Sequence, residues 1–290
     1  MLKCIDPIAL GLNTNFMQVV ELALTHRFKG IEIDLENIQS QVDSQGIEQA
    51  TRSLKHAPYQ RPIFKLPLNW FVPDNKLSTA TTRLHRLLDT AVALGCQACE
   101  VTIRPFADTP QYHESFELHS RRLKQLGEEL ETRQVRLGVG FQAHPSARGA
   151  EPYPFISTAD GLVALVKMTS NDNLGVVVDT WNWHLGGGNP ELLTELGPDR
   201  LVAIRMADFP PGIQPNSATE QERVLPRSDG TGQSLPLLSA AIAAGFNGSV
   251  LPSPAPSQVE EMGREDRVRN AAESLTAAIE AAKPVESVTT

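Results

Sequence analysis

The sequence predicts an α/β protein in which eight parallel strands, each followed by a helix, close into one barrel. Three observations lead to this prediction. Strand-like apolar runs alternate with helix-like patterns about eight times along the chain. The 290 residues are enough for such a barrel, which needs roughly 250. The apolar run over 174–178 stops abruptly at Asp179, and barrels carry their chemistry at the carboxyl ends of their strands.

Each strand is predicted from a short apolar or alternating run. Gly30-Ile-Glu-Ile-Asp-Leu-Glu36 alternates apolar and acidic residues, which is the period-two pattern of a strand. The run that precedes Asp179 is apolar and β-branched, the pattern of a buried parallel strand. In chain order, the predicted strands cover residues 3–10, 30–36, 62–66, 98–103, 135–141, 175–178, 201–206 and 249–251.

The helices are predicted from apolar residues at helical spacing and from residues that begin or end helices. Thr14 is a suitable N-cap for the first helix, and Gly95 ends the third. In chain order, the predicted helices cover residues 15–25, 44–56, 76–94, 114–133, 157–169, 190–196, 235–244 and 265–282. The strands and helices form one domain over residues 1–283, and residues 284–290 are expected to be a flexible tail. The connection 208–232 is long enough to indicate a functional loop, and the sequence leaves open whether this loop closes over the site.

Composition and charge exclude several classes of function. The chain is 41% hydrophobic and 21% charged, which is typical of globular proteins. Its formal net charge of -8 argues against a nucleic-acid partner. We see no segment with the length of a membrane span and no signal peptide, and we therefore expect a cytoplasmic protein without a membrane partner. Cys96 and Cys99 lie where a helix ends and a strand begins, so they are expected to be small buried residues.

Seven segments resemble, in the same order, motifs of one protein family. They are the Thr14-Asn-Phe opening with its helix and Gly30-Ile-Glu, Ala93-Leu-Gly-Cys96, Arg136-Leu-Gly-Val-Gly-Phe141, Asp179-Thr-Trp-Asn-Trp183, Ile204-Arg-Met-Ala-Asp-Phe-Pro210, Arg223-Val-Leu-Pro226 and Gly245-Phe-Asn-Gly-Ser-Val-Leu-Pro-Ser-Pro254. They resemble the xylose isomerase-like TIM barrels, the sugar phosphate isomerase/epimerase family. The resemblance extends from Thr14 to about Ala282. It implies a (β/α)8 TIM barrel with a small sugar or polyol ligand.

The resemblance also implies where a metal would bind. Family members typically hold Mg²⁺ or Mn²⁺ with Glu, Asp, His and Glu at four strand ends, and hard oxygen ligands suit these cations. In this chain the four positions fall on Gly140, Asp179, Arg205 and Ser253. A family histidine near the substrate falls on Asn182. Three of the four ligand types are replaced, and we therefore predict no metal site and no cofactor.

Arg205 is the most informative of these replacements. A guanidinium is a permanent cation that cannot ligate a metal and would repel one. We therefore predict that Arg205 pairs with Asp179 and occupies the metal position, because contact between the two keeps both ionised. A shift of two residues in the fifth strand keeps side chains on the same face, so Gln142, or the nearby His144, is an alternative to Gly140. The flanking strand residues favour Gly140.

Polar residues near the second and third strands are candidates for ligand binding. Glu32 and Asp34 alternate with apolar residues and are expected to point toward the centre or mouth of the barrel. Such buried acids need a basic partner, for example Lys65 or Arg104. They bind substrate hydroxyls or form a structural ion pair. Trp70 is either an apolar platform for a sugar or an anchor for its loop.

Polar residues in the second half of the chain are candidates too. His144 and His184 follow neighbouring strands on the face that carries the site, so both are candidates for moving protons. Asp208 and Arg223 retain the residue types of the family, and they are expected to order the loop 208–232 by pairing. The three glycines at 186–188 lack the spacing of a dinucleotide fingerprint and are interpreted as a flexible turn.

Two functional hypotheses remain after other chemistries are excluded. The sequence has no nucleophile elbow and no phosphate-binding loop, and it lacks the His- and Glu-rich metal set of relatives that repair abasic DNA. The first hypothesis is a protein that binds a small sugar or polyol without metal-dependent isomerisation. The alternative is a metal-independent isomerase, epimerase or lyase on a small keto-sugar, with Arg205 as electrophile and Asp179, His144 or His184 moving protons. Family members often pair, so the resemblance is compatible with a homodimer.

Overall fold

All eight predicted strands are present in a computed structural model, which describes residues 1–55, 60, 63–107, 111–148, 153–214, 217–227, 229 and 231–284. The strands are β1 (Leu2–Ile5), β2 (Gly30–Ile31), β3 (Phe64–Lys65), β4 (Ala98–Ile103), β5 (Arg136–Phe141), β6 (Leu174–Asp179), β7 (Leu201–Met206) and β8 (Ser249–Pro252). They pair in parallel in the order β2-β1-β8-β7-β6-β5-β4-β3. The first and last strands are thus neighbours, as in a barrel. Between β2 and β3, Gln60 forms a parallel bridge with Gly30.

Helices follow the strands and cover the outside of the sheet, which confirms the predicted barrel. They are α1 (Phe16–Thr25), α2 (Leu35–Gln45), α3 (Ile47–Lys55), α4 (Asp74–Ala93), α5 (Tyr112–Glu131), α6 (Pro145–Arg148), α7 (Ala159–Met168), α8 (Thr180–Leu185), α9 (Pro190–Leu196), α10 (Ser234–Ala243) and α11 (Arg264–Ala282). No helix within the described part of the chain is long and apolar enough to cross a membrane.

The region between β2 and β3 differs most from the sequence-based prediction. The second strand is only two residues long, because Asp34 accepts a hydrogen bond from Asn37 N (3.1 Å) and begins α2. The helix predicted over 44–56 is observed as α3, whereas α2 was not predicted. Gly46 separates the two helices with a φ of 83°, a conformation that favours glycine. Asn15, one residue after the predicted Thr14, caps α1. Of the predicted tail, 285–290 lies outside the described residues.

The apolar core has two layers, because successive strand residues point to opposite faces. Val176 and Val178 pack outward with the helices, whereas Val177 points inward. The inward residues form a cluster of their own inside the barrel: Cys4, Ile63, Ala98, Val177, Val202, Ala203 and Leu251. The three cysteines are free and buried, which confirms the expectation for Cys96 and Cys99.

Candidate ligand-binding site at the barrel mouth

The site is built from the residues that lie two positions after the inward-facing core residues. Because strand side chains repeat their direction every two residues, six of these seven positions point into the carboxyl end of the barrel, which we call the mouth. The seventh, Ile204, packs with the helices. The six residues placed in this way are Asp6, Lys65, Glu100, Asp179, Arg205 and Ser253. The apolar layer beneath them closes the barrel from below. The chain therefore places five charged side chains in one layer at the mouth.

Arg205 lies at the centre of this layer and is only 2% exposed. Its Nε donates to Glu100 Oε2 (2.7 Å), and its Nη1 donates to Asp6 Oδ2 (3.0 Å) and Glu32 Oε2 (2.8 Å). Its Nη2 lies 2.6 Å from Glu100 Oε2 but lacks hydrogen-bond geometry. We call Asp6, Glu32 and Glu100 the carboxylate cluster. Lys65 Nζ approaches the same cluster, 3.5 Å from Asp6 and 3.9 Å from Glu32.

The carboxylate cluster does not titrate uniformly. The pKa of Glu32 is raised to about 7, mainly by burial; the charge of Asp6 acts in the same direction, and Arg205 opposes both effects. Burial alone would also raise the pKa of Asp6, but Lys65, Arg205 and two backbone N–H groups hold that pKa below its usual value. The carboxylates keep the pKa of Arg205 well above its usual value, although burial opposes this. The pKa of Glu32 thus lies near neutral pH, whereas the pKa of Asp6 lies in the acidic range.

The predicted pairing of Arg205 with Asp179 is wrong. The two residues are neighbours in the register of β6 and β7, yet among the described residues Arg205 pairs with the carboxylate cluster. The three carboxylates of the cluster attract the Arg205 guanidinium more strongly than the single carboxylate of Asp179 does. Asp179 instead pairs with Arg223, whose Nη2 lies 2.5 Å from Asp179 Oδ2. Arg223 also donates to Ser253, from Nη2 to Oγ (2.9 Å) and from Nε to the backbone oxygen (3.0 Å). The mouth thus holds two guanidinium groups, each with its own acidic partner.

The loop between β7 and α10 supplies Arg223 and a second acid. Glu220 precedes Arg223 on a single 3-10 turn and lies 3.4 Å from Arg223 Nη1 and 3.0 Å from Nε2 of the buried His144. Burial alone would raise the pKa of Glu220, but the hydrogen bond from His144 and the charge of Arg223 hold it below its usual value. The loop is therefore fastened to the mouth through its own charged residues.

Asp208 orders this loop, but not by the predicted pairing with Arg223. Within the described part of the chain, its carboxylate accepts hydrogen bonds from Arg227 N (2.8 Å) and Ser234 N (2.8 Å). Its backbone forms an antiparallel bridge with Val224. Asp208 is fully buried, and it therefore supports the loop rather than facing a ligand.

Gly140 and Gln142, the two alternatives considered for the fifth strand, both lie at the mouth. A Cβ built on Gly140 would lie 3.5 Å from Glu100 Oε1, and Gln142 lines the same cavity. Asn182 lines the cavity as well. Its Oδ1 accepts a hydrogen bond from Ala143 N (2.9 Å). Glu100, from the neighbouring strand β4, thus lies next to Gly140.

Several sequence-based candidates lie outside the mouth cavity. Asp34 caps α2, and Arg104 stacks on Phe106 with 4.7 Å between the guanidinium carbon and the ring centroid. His184 is exposed and packs against Phe209. Trp70 is 3% exposed, and its indole N–H donates to the backbone oxygen of Arg122 (2.7 Å). Of the two interpretations of Trp70, the loop anchor is the one that the contacts support.

Replacing Trp70 by phenylalanine is expected to destabilise the fold without changing ligand binding. The variant removes one buried hydrogen bond while it keeps an aromatic ring, so the free energy of unfolding should fall by about 1–2 kcal/mol. Chemical denaturation and a ligand titration measure the two quantities separately. Loss of ligand binding in a folded Trp70→Phe protein would show instead that Trp70 contributes to the ligand-binding site.

Sequence reasoning missed several residues of the mouth, among them Asp6, Glu100, Thr102 and Glu220. Asp6 directly follows β1, and Glu100 and Thr102 alternate with apolar residues within β4. A glutamate in the middle of a buried strand requires a charged partner, so this signal was present in the sequence. Glu220 carried no such signal because it lies in an irregular loop.

The residues at the mouth do not fit the divalent cation that the resemblance implies. Asp179 is already paired with Arg223, and Arg205 places a fixed positive charge among the remaining carboxylates. Gly140 offers no donor atom, and Ser253 Oγ is engaged by Arg223. Within the described ranges, no three His, Cys, Asp or Glu side chains are grouped so as to hold a metal ion. A divalent cation would have to displace one or both guanidinium groups.

A cavity of about 360 Å³ opens above these charges, within the size range of small-molecule sites. Donors and acceptors both line it, from Thr102, Gln142, Asn182, Arg223 and Ser253. The arrangement can hydrogen-bond to a ligand that has several hydroxyl groups, because a hydroxyl both donates and accepts.

Comparison with solved structures shows the same fold in several proteins. A xylose isomerase domain protein from Alicyclobacillus acidocaldarius subsp. acidocaldarius is 21% identical, with a TM-score of 0.85 over 98% of this chain and 100% of that one. The IOLI protein, solved with a bound zinc atom, is 18% identical, with a TM-score of 0.83 over 98% and 100%. A D-psicose 3-epimerase is 13% identical, with a TM-score of 0.69 over 95% and 97%. At these identities the likeness concerns the fold.

Sequence comparison gives the family. No curated protein sequence matches the chain. A family model described as xylose isomerase-like TIM barrel matches residues 12–278, which is most of the chain. This chain therefore belongs to the xylose isomerase-like TIM barrel family.

Proposed function

We propose that the protein binds a small neutral sugar or polyol at the mouth, with guanidinium groups in place of a divalent cation and without metal-dependent isomerisation. One observation carries the proposal: the Arg205 guanidinium occupies the centre of the mouth and bonds to three buried carboxylates. A positive group of this kind cannot leave, and a cation beside it would be repelled.

The charge balance at the mouth favours a neutral ligand over a phosphorylated one. The acidic groups described there are Asp6, Glu32, Glu100, Asp179 and Glu220. The permanently or normally cationic groups are Lys65, Arg205 and Arg223. Each cation already has a carboxylate partner, so little positive charge is left for an anion. Hydroxyl groups, by contrast, can join the existing hydrogen bonds as donors and acceptors.

A metal-independent proton-transfer enzyme is the second candidate, and one observation favours it. Glu32 is buried beside Arg205 with its pKa raised to about 7, and a general acid or base works best with a pKa near the working pH. Arg205 is a weak electrophile in this arrangement because its Nε and Nη1 are occupied by carboxylates. In this candidate Glu32 moves the proton of a substrate that extends from the mouth into the neighbouring cavity that Glu32 lines, and Arg223 contacts the oxygen of the substrate.

Binding of neutral sugars tests the proposed function. We expect NMR titration with a panel of neutral monosaccharides and inositols to identify a ligand whose binding does not depend on Mn²⁺ and survives EDTA. Replacing Arg223 by methionine should weaken that binding at least tenfold, because Arg223 lines the cavity and orients both Asp179 and Ser253.

Arg227→Met is the matched control, since Arg227 lies on the same loop but its guanidinium pairs with Asp229 and does not line the mouth cavity. The proposal is contradicted if no neutral sugar binds, or if binding or turnover requires a divalent cation. Turnover of a keto-sugar in the presence of EDTA would favour the second candidate.

A further inference from the structure

A second and larger cavity lies beside the mouth. It has a volume of about 910 Å³ and lies between the β1–α1 and β2–α2 connections; we call it the side groove. Ile8 lines both cavities and is 56% exposed. Asp6 fixes the turn that carries Ile8, because Asp6 Oδ1 accepts hydrogen bonds from Ile8 N (3.0 Å) and Ala9 N (2.9 Å). The Ile8 side chain therefore stands between the two cavities on a turn tied to the carboxylate cluster.

Glu32 connects the side groove to the mouth electrostatically. Its side chain lines the groove, while its Oε2 accepts a hydrogen bond from Arg205 Nη1 (2.8 Å), and Arg205 lines the mouth. A ligand that occupied both cavities would thus lie against Glu32 in the side groove and against its hydrogen-bond partner Arg205 in the mouth.

The lining of the side groove indicates the chemistry of its ligand. The charged residues described in its lining are both acidic, Glu32 and Asp34, so the groove has no attraction for a phosphate. Amide side chains at Asn37 and Gln41 line one wall, and Phe16 offers an apolar aromatic surface. Amides and an aromatic surface suit a neutral hydroxylated ring, which has polar edges and apolar faces.

We infer that the side groove is a subsite for the second unit of a neutral two-unit carbohydrate, a disaccharide or a glycoside, whose first unit lies in the mouth. Ile8 is the specificity residue between the two subsites. This inference rests on the proposed function, because the mouth must hold the first unit. Beyond the proposed function, the ligand is then a two-unit carbohydrate, and Ile8 controls the length of carbohydrate that the protein accepts.

The test compares ligands of one and two units. For the neutral monosaccharide that binds best by NMR titration, we expect at least one α- or β-linked disaccharide that contains it to bind at least tenfold tighter. Ile8→Trp should abolish this gain. Gln41→Leu, which changes a wall of the side groove and not the mouth, should reduce the gain and leave the dissociation constant of the monosaccharide within about twofold. Val92→Trp is the matched control, because Val92 is an exposed apolar residue of α4 and lines neither cavity.

The possible outcomes separate the inference from the proposed function. Monosaccharide binding without any gain for disaccharides overturns the subsite and leaves the proposed function intact. A gain that persists in a folded Ile8→Trp protein also overturns the assignment of the groove. If neither class of sugar binds, the proposed function fails, and the subsite fails with it. Thermal unfolding of each variant distinguishes loss of the tighter disaccharide binding from unfolding of the protein.

Discussion

Replacing Arg205 by methionine is expected to cost about 3–5 kcal/mol of unfolding free energy at pH 7. Methionine fills a similar volume but leaves Asp6, Glu32 and Glu100 buried around an uncharged side chain. Burial and mutual repulsion would then raise the pKa values of these carboxyl groups. Urea denaturation of wild type and variant at pH 7 measures the loss. The substitution leaves three buried carboxylates without their cationic partner, so the loss of unfolding free energy should be among the largest for any single substitution in the chain.

The pH dependence of this loss distinguishes charge from packing. Carboxyl groups with a raised pKa in the folded state bind more protons folded than unfolded, so lowering the pH stabilises the variant. The deficit of Arg205→Met should therefore shrink between pH 7 and pH 5. Arg83→Met is the control, because Arg83 and its partner Glu36 are both exposed, and the loss there should stay below about 1 kcal/mol. A deficit of Arg205→Met that is small, or constant with pH, would contradict the charge cluster.

Replacing Glu32 by glutamine is expected to remove a pH dependence from the wild-type protein. Burial raises the pKa of Glu32 from 4.5 to about 7, so the folded state binds more protons than the unfolded state between these values. The stability of the wild type should therefore fall as the pH rises through this window, by up to about 3 kcal/mol from this group. Glutamine keeps the shape without the charge.

The unfolding free energy of Glu32→Gln, relative to wild type, should accordingly rise from pH 5 to pH 8. Asp6 does not interfere, because its lowered pKa places its own contribution at more acidic pH. Glu36→Gln is the matched control, since Glu36 is exposed on α2 and should follow the wild type. Parallel curves for Glu32→Gln and wild type over this range would show that Glu32 titrates as an ordinary surface acid.

The fold was largely predictable because its elements are set by local pattern. The strands β4 and β7 and the helix α9 coincide with the predicted residues 98–103, 201–206 and 190–196. The first strand ends at Ile5 rather than at the predicted residue 10, and α8 was not predicted. The largest failure lies between β2 and β3. There the period-two pattern Glu32, Ile33, Asp34 indicated a continuing strand, but the Asp34 side chain caps a helix instead. An aspartate that alternates with apolar residues can continue a strand or cap the following helix, and the local sequence pattern does not distinguish these two structures.

The location of the site was predictable, but its pairing was not. Asp179, Arg205 and Ser253 were assigned to the mouth from their positions at strand ends, and all three line its cavity. The partners of Arg205 come from three strands or strand ends that are 105 to 199 residues away in sequence. Its long side chain reaches past the neighbouring Asp179 to these acids. Such a choice depends on the three-dimensional arrangement of the barrel, which the sequence pattern does not encode.

We propose that organic cations hold the place of a divalent metal at the mouth, and anomalous diffraction tests this proposal most directly. Crystals of the protein soaked in MnCl₂ should show no manganese peak within coordination distance of Asp179. The electron density should place the Arg205 guanidinium among Asp6, Glu32 and Glu100. A manganese ion at about 2.0–2.6 Å from Asp179 and a second side chain, with Arg205 turned away from these acids, would contradict the account.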